Sequence, residues 1–226
     1  MNQIISYAYE EDYNRKEKIH KKNVFLFWCN LFFSFSILIF SFSFYFIYNY
    51  NLAKNDSIAK QLTNSFNISK LYYTDENVEP EKVILDNTYS TNTNIFSVIG
   101  IIQIDKIEIS YPIISETSDE LLKIAPCRFY GPYPNEVGNL CIAGHNYSDN
   151  RFFGKLNKLN NGDEITIYDS YGNSLVYVVY KKYEVHENDT SCTSQNTNGR
   201  KEITLITCNN FNNKRIIVKA VEKAIH

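Results

Sequence analysis

The sequence lacks an excess of charge of either sign. Its 226 residues carry 23 Lys and Arg against 25 Asp and Glu, a formal net charge of −2. Because proteins that bind a polyanion through bulk electrostatics are usually strongly basic, this balance argues against a nucleic-acid partner. With 44% hydrophobic and 21% charged residues, the chain is too apolar for a disordered protein and too mixed for a polytopic membrane protein.

The sequence also lacks a Cys-x-x-Cys pair and an internal repeat. Its five cysteines are Cys29, Cys127, Cys141, Cys192 and Cys208. Their wide spacing supports neither a zinc ribbon nor a thioredoxin-type redox pair. Exported domains often pair their cysteines, so the last four invite two disulfides, and the sequence leaves their pairing open.

One long hydrophobic run lies near the N-terminus. Residues 24–48 contain nine of the 15 Phe and no charged side chain. As an α-helix this run is about 38 Å long, enough to cross the roughly 30 Å hydrocarbon core of a bilayer with some tilt. A buried core helix is the alternative, but uncharged runs beyond about 18 residues are rare in soluble folds. We predict a transmembrane anchor over residues 24–50.

The charges that flank the anchor predict its orientation. Five cations lie in residues 15–22, whereas the first cation after the run is Lys54. The positive-inside rule therefore predicts a cytoplasmic segment over residues 1–23 and an extracellular location for the chain after the anchor. A cleaved signal peptide is the rival interpretation, but its apolar region would be only about 7–15 residues long and followed by a small-x-small site. We expect an uncleaved single-pass anchor in the cell membrane.

Residues 51–94 are rich in Asn, Ser, Thr, Lys and Asp, with no Gly and one Pro. Apolar residues at helical spacing predict a short helix over 57–71. We interpret the segment as an extracytoplasmic stalk, or linker, that holds the following domain off the membrane. A regulatory segment that folds over an active site is the alternative.

Residues 95–226 form a region of short β-runs, which predicts a single domain. A small closed barrel or sandwich of about seven or eight strands fits this spacing. Residues 170–173 are predicted to form a hairpin turn, and only residues 152–159 have a helical pattern. The predicted strands are residues 97–104, 107–114, 137–143, 164–169, 174–185, 202–207 and 215–221.

Three chemically active residues follow or open these strands. Cys208 comes after a strand-like run and before a polar loop, a position at the rim of a barrel where a substrate can reach it. Arg215 opens the next strand, so a hairpin would bring it beside Cys208. His145 follows another strand and the turn residue Gly144.

A thiol, an imidazole and a guanidinium together suit acyl transfer. A thiol with a pKa near 8.5 is only a few per cent thiolate at neutral pH, and an imidazole can accept its proton. The same imidazole can then protonate the leaving amine of an amide, while a permanently cationic guanidinium stabilises the oxyanion. Spacing alone leaves open a structural thiol with a surface His and Arg.

At these residues the sequence resembles the sortase family. Residues 204–208, TLITC, match the TLxTC signature of that family, and residues 143–146, AGHN, match the segment around its histidine. Arg215 opens a strand that matches the arginine strand. The resemblance covers residues 95 to about 222, and the order of these motifs behind an N-terminal anchor is highly specific.

The resemblance implies an all-β fold over residues 95–226, the sortase-type closed β-barrel with one or two short helices. It implies a cysteine transpeptidase on the outer face of a Gram-positive-type cell. By carry-over, Cys208 attacks the Thr–Gly bond of an LPxTG-like sorting signal and forms a thioester, His145 is the general acid and base, and Arg215 positions the signal and stabilises the oxyanion. Thr207, beside the nucleophile, is a candidate substrate-binding contact to the signal backbone.

The implied partners are secreted proteins with a C-terminal sorting signal, and an acceptor amine from a peptidoglycan precursor or a pilin lysine. The disordered-looking stretch 185–200 corresponds to the loop that shapes signal specificity in the family. The short distance along the chain from His145 to Cys208 leaves no room for the helical insertion of class B sortases. Residues 51–94 lack the Asp-Pro-Trp lid motif of class C, so a housekeeping or class D-like enzyme fits better.

No cofactor is predicted. Calcium activation occurs in part of the family and requires acidic residues in loops. Asp119, Glu120 and Glu187 are candidates, but exposed acids are common, so we do not favour a calcium site.

Other function classes fit less well. An L,D-transpeptidase places its nucleophile in a Ser-x-Gly-Cys context, whereas Ile206 and Thr207 precede Cys208. Papain-like peptidases usually place Cys before His, the reverse of the order seen here. The non-enzymatic alternative is a membrane-tethered adhesion or binding module in which Cys208 is structural.

Overall fold

The computed structural model describes residues 2–74, 88–90, 95–209 and 211–224. Their side chains are described within residues 13–66, 96–209 and 211–224. The chain divides into two units, Met1–Lys54 and Asn55–His226. Parts of the predicted stalk, residues 75–87 and 91–94, lie outside the described residues.

Helix α1 extends over Asn2–Thr74, so the short helix predicted at 57–71 is part of a longer one. In the described chain it is the one helix apolar and long enough to cross a membrane, with a mean hydropathy of 2.1 in its most apolar window. Large aromatic side chains in the first unit are exposed, among them Phe32 at 77% and Phe40 at 74%. Such a surface is unfavourable in water and suits a lipid environment.

The second unit is built on nine strands. They are β1 Thr88–Ser90, β2 Ile95–Ile104, β3 Ile109–Ile114, β4 Cys127–Tyr130, β5 Gly138–Ala143, β6 Glu164–Asp169, β7 Ser174–His186, β8 Lys201–Asn209 and β9 Lys214–Glu222.

The nine strands form one sheet with the order β1-β2-β3-β4-β5-β8-β9-β7-β6. A further pairing of β2 with β6 closes eight of these strands into a barrel, and β1 pairs only with the start of β2. The predicted closed barrel of about seven or eight strands is confirmed.

The barrel interior is filled by alternate residues of its strands, as the two-residue period of a β-strand requires. Ile203 and Leu205 of β8 and Val218 of β9 belong to this core and have 0% exposure. Ile206 and Ile217, on the opposite face of the same two strands, belong to a separate buried cluster. Both faces of β8 and β9 are therefore buried along part of their length.

The end of α1 in the second unit packs on the outside of the barrel. Leu62 and Phe66 are 2% and 1% exposed and join Phe96, Val98 and Ile114 in one apolar cluster. A short helix, α2 (Asp119–Leu122), contributes Leu121 to the same cluster. The first part of the predicted stalk therefore has an apolar packing partner in its own unit.

The helix predicted over residues 152–159 is wrong. Phe152 has a φ of +51° and forms an isolated bridge with Asn146, and only Leu156–Lys158 forms a 3-10 helix. The apolar pattern was nevertheless informative about burial, because Phe152, Phe153, Leu156 and Leu159 are at most 1% exposed. The periodicity indicates which side chains face the core, and the positive φ of Phe152 prevents a regular helix from beginning at that residue.

Candidate active site

Cys208 lies one residue before the end of β8 and is exposed. Because side chains alternate along a strand, it shares a face with Ile206 and lies opposite the barrel interior. Ile206 is only 4% exposed. Along this face of β8, Cys208 is thus the first exposed residue after a series of buried ones.

Arg215 of β9 is the direct antiparallel partner of Cys208. Directly opposed residues of an antiparallel pair project from the same face, with Cβ atoms about 4.5–5.5 Å apart. Val185 of β7 is in turn the partner of Arg215. The register therefore places the Cys208 and Arg215 side chains next to each other on one face, as the sequence predicted from a hairpin.

His145 follows β5, which runs parallel to β8. Beyond the last paired residues, the Gly144 amide donates to the Ile206 carbonyl at 3.0 Å, which extends the pairing toward His145. The Thr207 hydroxyl donates to the Gly144 carbonyl at 2.7 Å. The side-chain amide of Asn146 donates to the Cys208 carbonyl, also at 2.7 Å. Two side-chain bonds thus tie the residues on either side of His145 to the end of β8.

Aromatic packing fixes the turn that carries His145. Its ring lies 5.1 Å from that of Tyr147, which lies 5.5 Å from the ring of Phe152. A Cβ on Gly144 would lie 2.7 Å from the Phe153 ring, so this position requires glycine. The His145 carbonyl accepts a bond from the Phe153 amide at 3.0 Å.

Burial lowers the pKa of His145, because the charged form loses hydration. The charge of Asp119 opposes this shift and that of Lys123 adds to it. The imidazole is consequently neutral at physiological pH. A neutral imidazole is the form that accepts a proton from a thiol.

Thr207 is buried, with 3% exposure, and its hydroxyl is engaged with Gly144. A contact between Thr207 and a substrate therefore has to come from its backbone, and this role stays a prediction. Asn146 was not singled out from the sequence. The sequence signal that could have indicated Asn146 is its position directly after His145.

The loop between β7 and β8, residues 187–200, is ordered, so the disorder expected for residues 185–200 is wrong. Residues 185 and 186 belong to β7, and Ser191–Thr193 forms a 3-10 helix. Cys192 and Thr197 are each 4% exposed. Polar composition misled the expectation because Cys192 packs in a buried cluster and the side-chain amides of Asn139 and Gln195 bond between the loop and β5.

Three cysteines of the second unit differ sharply from Cys208. All five cysteines of the chain are free thiols, and Cys127, Cys141 and Cys192 are buried. Burial raises the pKa of Cys127 and of Cys141 to about 12 and also raises that of Cys192. Their thiolate fractions at neutral pH are therefore very small, and Cys208 is the exposed thiol of this unit.

The acidic candidates for a calcium site do not converge. Asp119 and Glu120 occupy the first turn of α2, a position where carboxylates favour a helix N-terminus. Glu187 lies in the loop between β7 and β8. Within the described residues, no group of three or more His, Cys, Asp or Glu side chains has the arrangement of a metal site.

Comparison with known proteins identifies a family for the barrel. The family model described as the Sortase domain matches residues 102–223, more than half of the chain. Sortase D of Bacillus subtilis (strain 168) is 33% identical over 113 residues, which cover 50% of this chain and 54% of that protein. The chain thus matches about half the length of this curated relative.

Solved structures agree with the sequence comparison. A sortase D5 transpeptidase of Clostridium perfringens superposes with a TM-score of 0.61 and 27% identity, covering 75% of this chain and all of that one. Sortase A of Corynebacterium diphtheriae superposes with a TM-score of 0.52 and 26% identity, covering 58% and 63% of the two chains. The family-model match over residues 102–223 includes the strands that carry Cys208 and Arg215.

Proposed function

This chain belongs to the sortase family, and on that premise we propose that it is a membrane-anchored cysteine transpeptidase with Cys208 as its nucleophile. The observation that carries the proposal is the register of β8 and β9, in which the exposed Cys208 directly opposes Arg215. The two side-chain bonds that tie the His145 turn to β8 support His145 as the third member.

The first half-reaction transfers an acyl group to sulfur. His145, neutral at physiological pH because burial lowers its pKa, accepts the Cys208 proton as the sulfur attacks the threonine carbonyl carbon of the signal. The Arg215 guanidinium stabilises the negative charge that develops on that carbonyl oxygen. The C–N bond then breaks, His145 returns its proton to the leaving glycine amine, and the acyl group remains as a thioester on Cys208.

The second half-reaction resolves the thioester. A neutral acceptor amine attacks the thioester carbon, a new amide bond forms, and the C–S bond breaks. The amine proton passes through His145 to the departing Cys208 sulfur, which restores the free enzyme. Each step needs only groups already assigned to the rim of β8 and β9 and the turn after β5.

The substrates follow from the same chemistry. We assign as acyl donor a secreted protein with an LPxTG-like C-terminal sorting signal, cleaved between Thr and Gly. The acceptor is an amine of a peptidoglycan precursor or a pilin lysine. An extended peptide suits the exposed end of β8, where Cys208 is accessible while the preceding residues of the same face are covered.

The proposed location places the anchor at residues 24–50, with residues 1–23 in the cytoplasm and residues 95–226 as an extracellular catalytic domain. The exposed apolar surface of α1 supports a membrane anchor. The cations of residues 15–22 support the cytoplasmic side for the N-terminus. Residues 51–94 connect the anchor to the catalytic domain.

The test is cleavage of a panel of fluorogenic LPxTG-type peptides by the full chain in detergent micelles, with and without triglycine as an amine acceptor. We expect cleavage between Thr and Gly and a transpeptidation product when the amine is present. Cys208→Ala should abolish turnover and keep the circular dichroism spectrum, because the thiol is exposed and belongs to none of the apolar clusters formed by the described residues.

Cys127→Ala is the matched control, because it removes a buried thiol of the same unit that packs in a different apolar cluster, with Leu62 and Phe66 of α1. It should keep turnover within about threefold. Persistent cleavage by Cys208→Ala, or loss of cleavage in a folded Cys127→Ala variant, would refute the assignment of the nucleophile.

A further inference from the structure

The backbone of β5 at Asn139 lies beyond the paired part of β4, because the pairing of β4 with β5 ends at Tyr130 and Cys141. The side-chain amide of Gln195, from the loop between β7 and β8, supplies the missing hydrogen bonds. Its Oε1 accepts from the Asn139 amide at 3.0 Å, and its Nε2 donates to the Asn139 carbonyl at 2.9 Å. Gln195 thus pairs with β5 as the backbone of a neighbouring strand would.

Two glycines make room for this side chain. Gly131 and Gly138 have φ values of +92° and +124°, a region that other residues rarely adopt. A Cβ on Gly131 would lie 3.2 Å from Gln195 Nε2 and 2.0 Å from the Asn139 carbonyl oxygen, and one on Gly138 would lie 3.1 Å from Gln195 Oε1. The slot therefore fits the amide, and a side chain at either glycine would crowd it.

The Asn139 side chain also binds the loop between β7 and β8. It is 0% exposed, and its Nδ2 donates to the Cys192 carbonyl at 2.9 Å and to the Ser194 carbonyl at 3.1 Å. Its Oδ1 accepts from the Thr204 hydroxyl at 2.7 Å. Every hydrogen-bonding atom of this buried amide is engaged, so the loop has one well-defined position.

That position borders the proposed active site. The thiol of Cys192 packs with Cys141, Ile206 and Ile217 in a buried group that we call the covered cluster. Ile206 and Ile217 are each two residues from the proposed active-site pair on the same strand face, because Ile206 precedes Cys208 and Ile217 follows Arg215. The loop is therefore fixed at the edge of the surface on which a peptide bound at Cys208 must lie.

We propose that Gln195 is a specificity-determining positioning residue, which holds the loop between β7 and β8 as a preformed wall for the sorting signal. The proposal rests on the proposed transpeptidase function. A wall that is ordered before binding spares the peptide the entropic cost of ordering the loop. It also gives the site a fixed shape that rejects a mismatched signal.

The test uses the full chain in detergent micelles with the best peptide of the panel and a peptide that differs from it at one position. In Gln195→Ala and in Gln195→Met, which keeps the length but cannot form the paired bonds, KM for the best peptide should rise about tenfold, the usual effect of losing one or two hydrogen bonds. The value of kcat should change less than threefold. The ratio of kcat/KM between the two peptides should fall by a similar factor of about ten.

Asn196→Ala is the matched control, because Asn196 is the next residue of the same loop, is exposed like Gln195, and bonds to the Ser194 hydroxyl through its backbone amide. It should leave KM and the discrimination ratio unchanged. Amide hydrogen exchange of residues 191–197 should accelerate at least tenfold in both Gln195 variants and stay unchanged in Asn196→Ala.

Unchanged KM, discrimination and exchange in both Gln195 variants would overturn the proposal while leaving the transpeptidase function intact. Absence of peptide cleavage by the wild-type chain would instead contradict the proposed function. In that case hydrogen exchange still decides whether Gln195 fixes the loop.

Discussion

The outer face of β8 and β9 is buried in one stretch and more exposed in the next, and the proposed site lies in the more exposed stretch. At Ile206 and Ile217 the outer face of β8 and β9 is sealed by the loop between β7 and β8, and both side chains are at most 4% exposed. Two residues along each strand, Cys208 and Arg215 lie beyond that cover. The same two strands therefore supply part of a buried cluster and then the rim that carries the proposed nucleophile, and the loop that contributes Cys192 lies at the boundary between them.

The comparison also separates two kinds of thiol. Cys141 lies on β5 in the covered cluster, where burial raises its pKa to about 12. Cys208 is on the neighbouring strand but is exposed. Since only the thiolate is a good nucleophile, burial alone removes Cys141 from the chemistry.

The largest expected effect concerns thiol reactivity in the second unit. At pH 7.5 a thiol with a pKa of about 12 is thiolate only to the order of 10⁻⁴ to 10⁻⁵, so Cys208 should react with iodoacetamide at least about 10³ times faster than Cys127 or Cys141. Peptide mapping by mass spectrometry after short labelling times measures these rates. Comparable rates for the exposed and buried thiols would remove the distinction between the rim and the covered cluster.

Arg215 should show the next largest effect. Arg215→Ala removes the proposed oxyanion donor, and loss of one such donor typically lowers kcat by about 10²-fold or more. Lys219→Ala removes a cation from the same face of β9, but Lys219 pairs with the buried Glu202 at 3.8 Å and lies two positions beyond Ile217. Its turnover should stay within about threefold of wild type. Equal losses in the two variants would indicate a general charge effect instead of a role at the rim.

Thr207 should have an intermediate effect. Thr207→Val keeps the shape but removes the donor to the Gly144 carbonyl, and we expect a roughly tenfold loss of kcat because the His145 turn loses its alignment with β8. Thr207→Ser retains the hydroxyl and should keep kcat within about threefold. Full activity of Thr207→Val would show that this bond does not position His145.

The covered cluster should affect stability and leave turnover nearly unchanged. Ile217→Val removes one methyl group from a fully buried position, at an expected cost of about 1 kcal/mol. Calorimetry should show a fall in Tm of about 3 °C, while kcat stays within about twofold. A loss of kcat above tenfold, with little change in Tm, would mean that the cluster belongs to the site.

The smallest expected effect is the pH dependence of stability due to His145. Its pKa is lowered in the folded state, so the unfolded chain binds more protons below its ordinary pKa of 6.5. Its contribution therefore destabilises the fold as the pH falls below about 6.5 and is absent above that value. Tm measured from pH 5 to 7.5 should decline less steeply toward low pH in His145→Gln than in wild type, and identical slopes would contradict the assigned shift.

Much of the barrel was predictable because alternating, β-branched runs determine strands locally. The strand at residues 164–169 and the turn at 170–173 agree with the structure, and β8 and β9 each extend only one or two residues beyond the predicted ends. The strand β4, with the sequence CRFY, was missed because it is only four residues long and carries no clear alternation. Its pairing with β3 and β5 depends on partners that are distant in sequence.

The sequence indicated the residues of the proposed site but not the hydrogen bonds that support them. The motif around Cys208 and the strand opened by Arg215 were visible locally, and their antiparallel register follows from a short hairpin. The bonds of Asn146 and Gln195 join segments more than 50 residues apart, so no local pattern could indicate them. The polar loop of residues 187–200 looked disordered for the same reason.

The most direct test of the central claim is mass spectrometry of the acyl-enzyme. The full chain is incubated with its best sorting-signal peptide without an amine acceptor, quenched in acid and digested, and the modified peptide is sequenced. We predict the mass of the signal up to its threonine, attached as a hydroxylamine-sensitive thioester to Cys208. Turnover with the acyl group on another residue, or with no covalent adduct on any cysteine, would contradict the account.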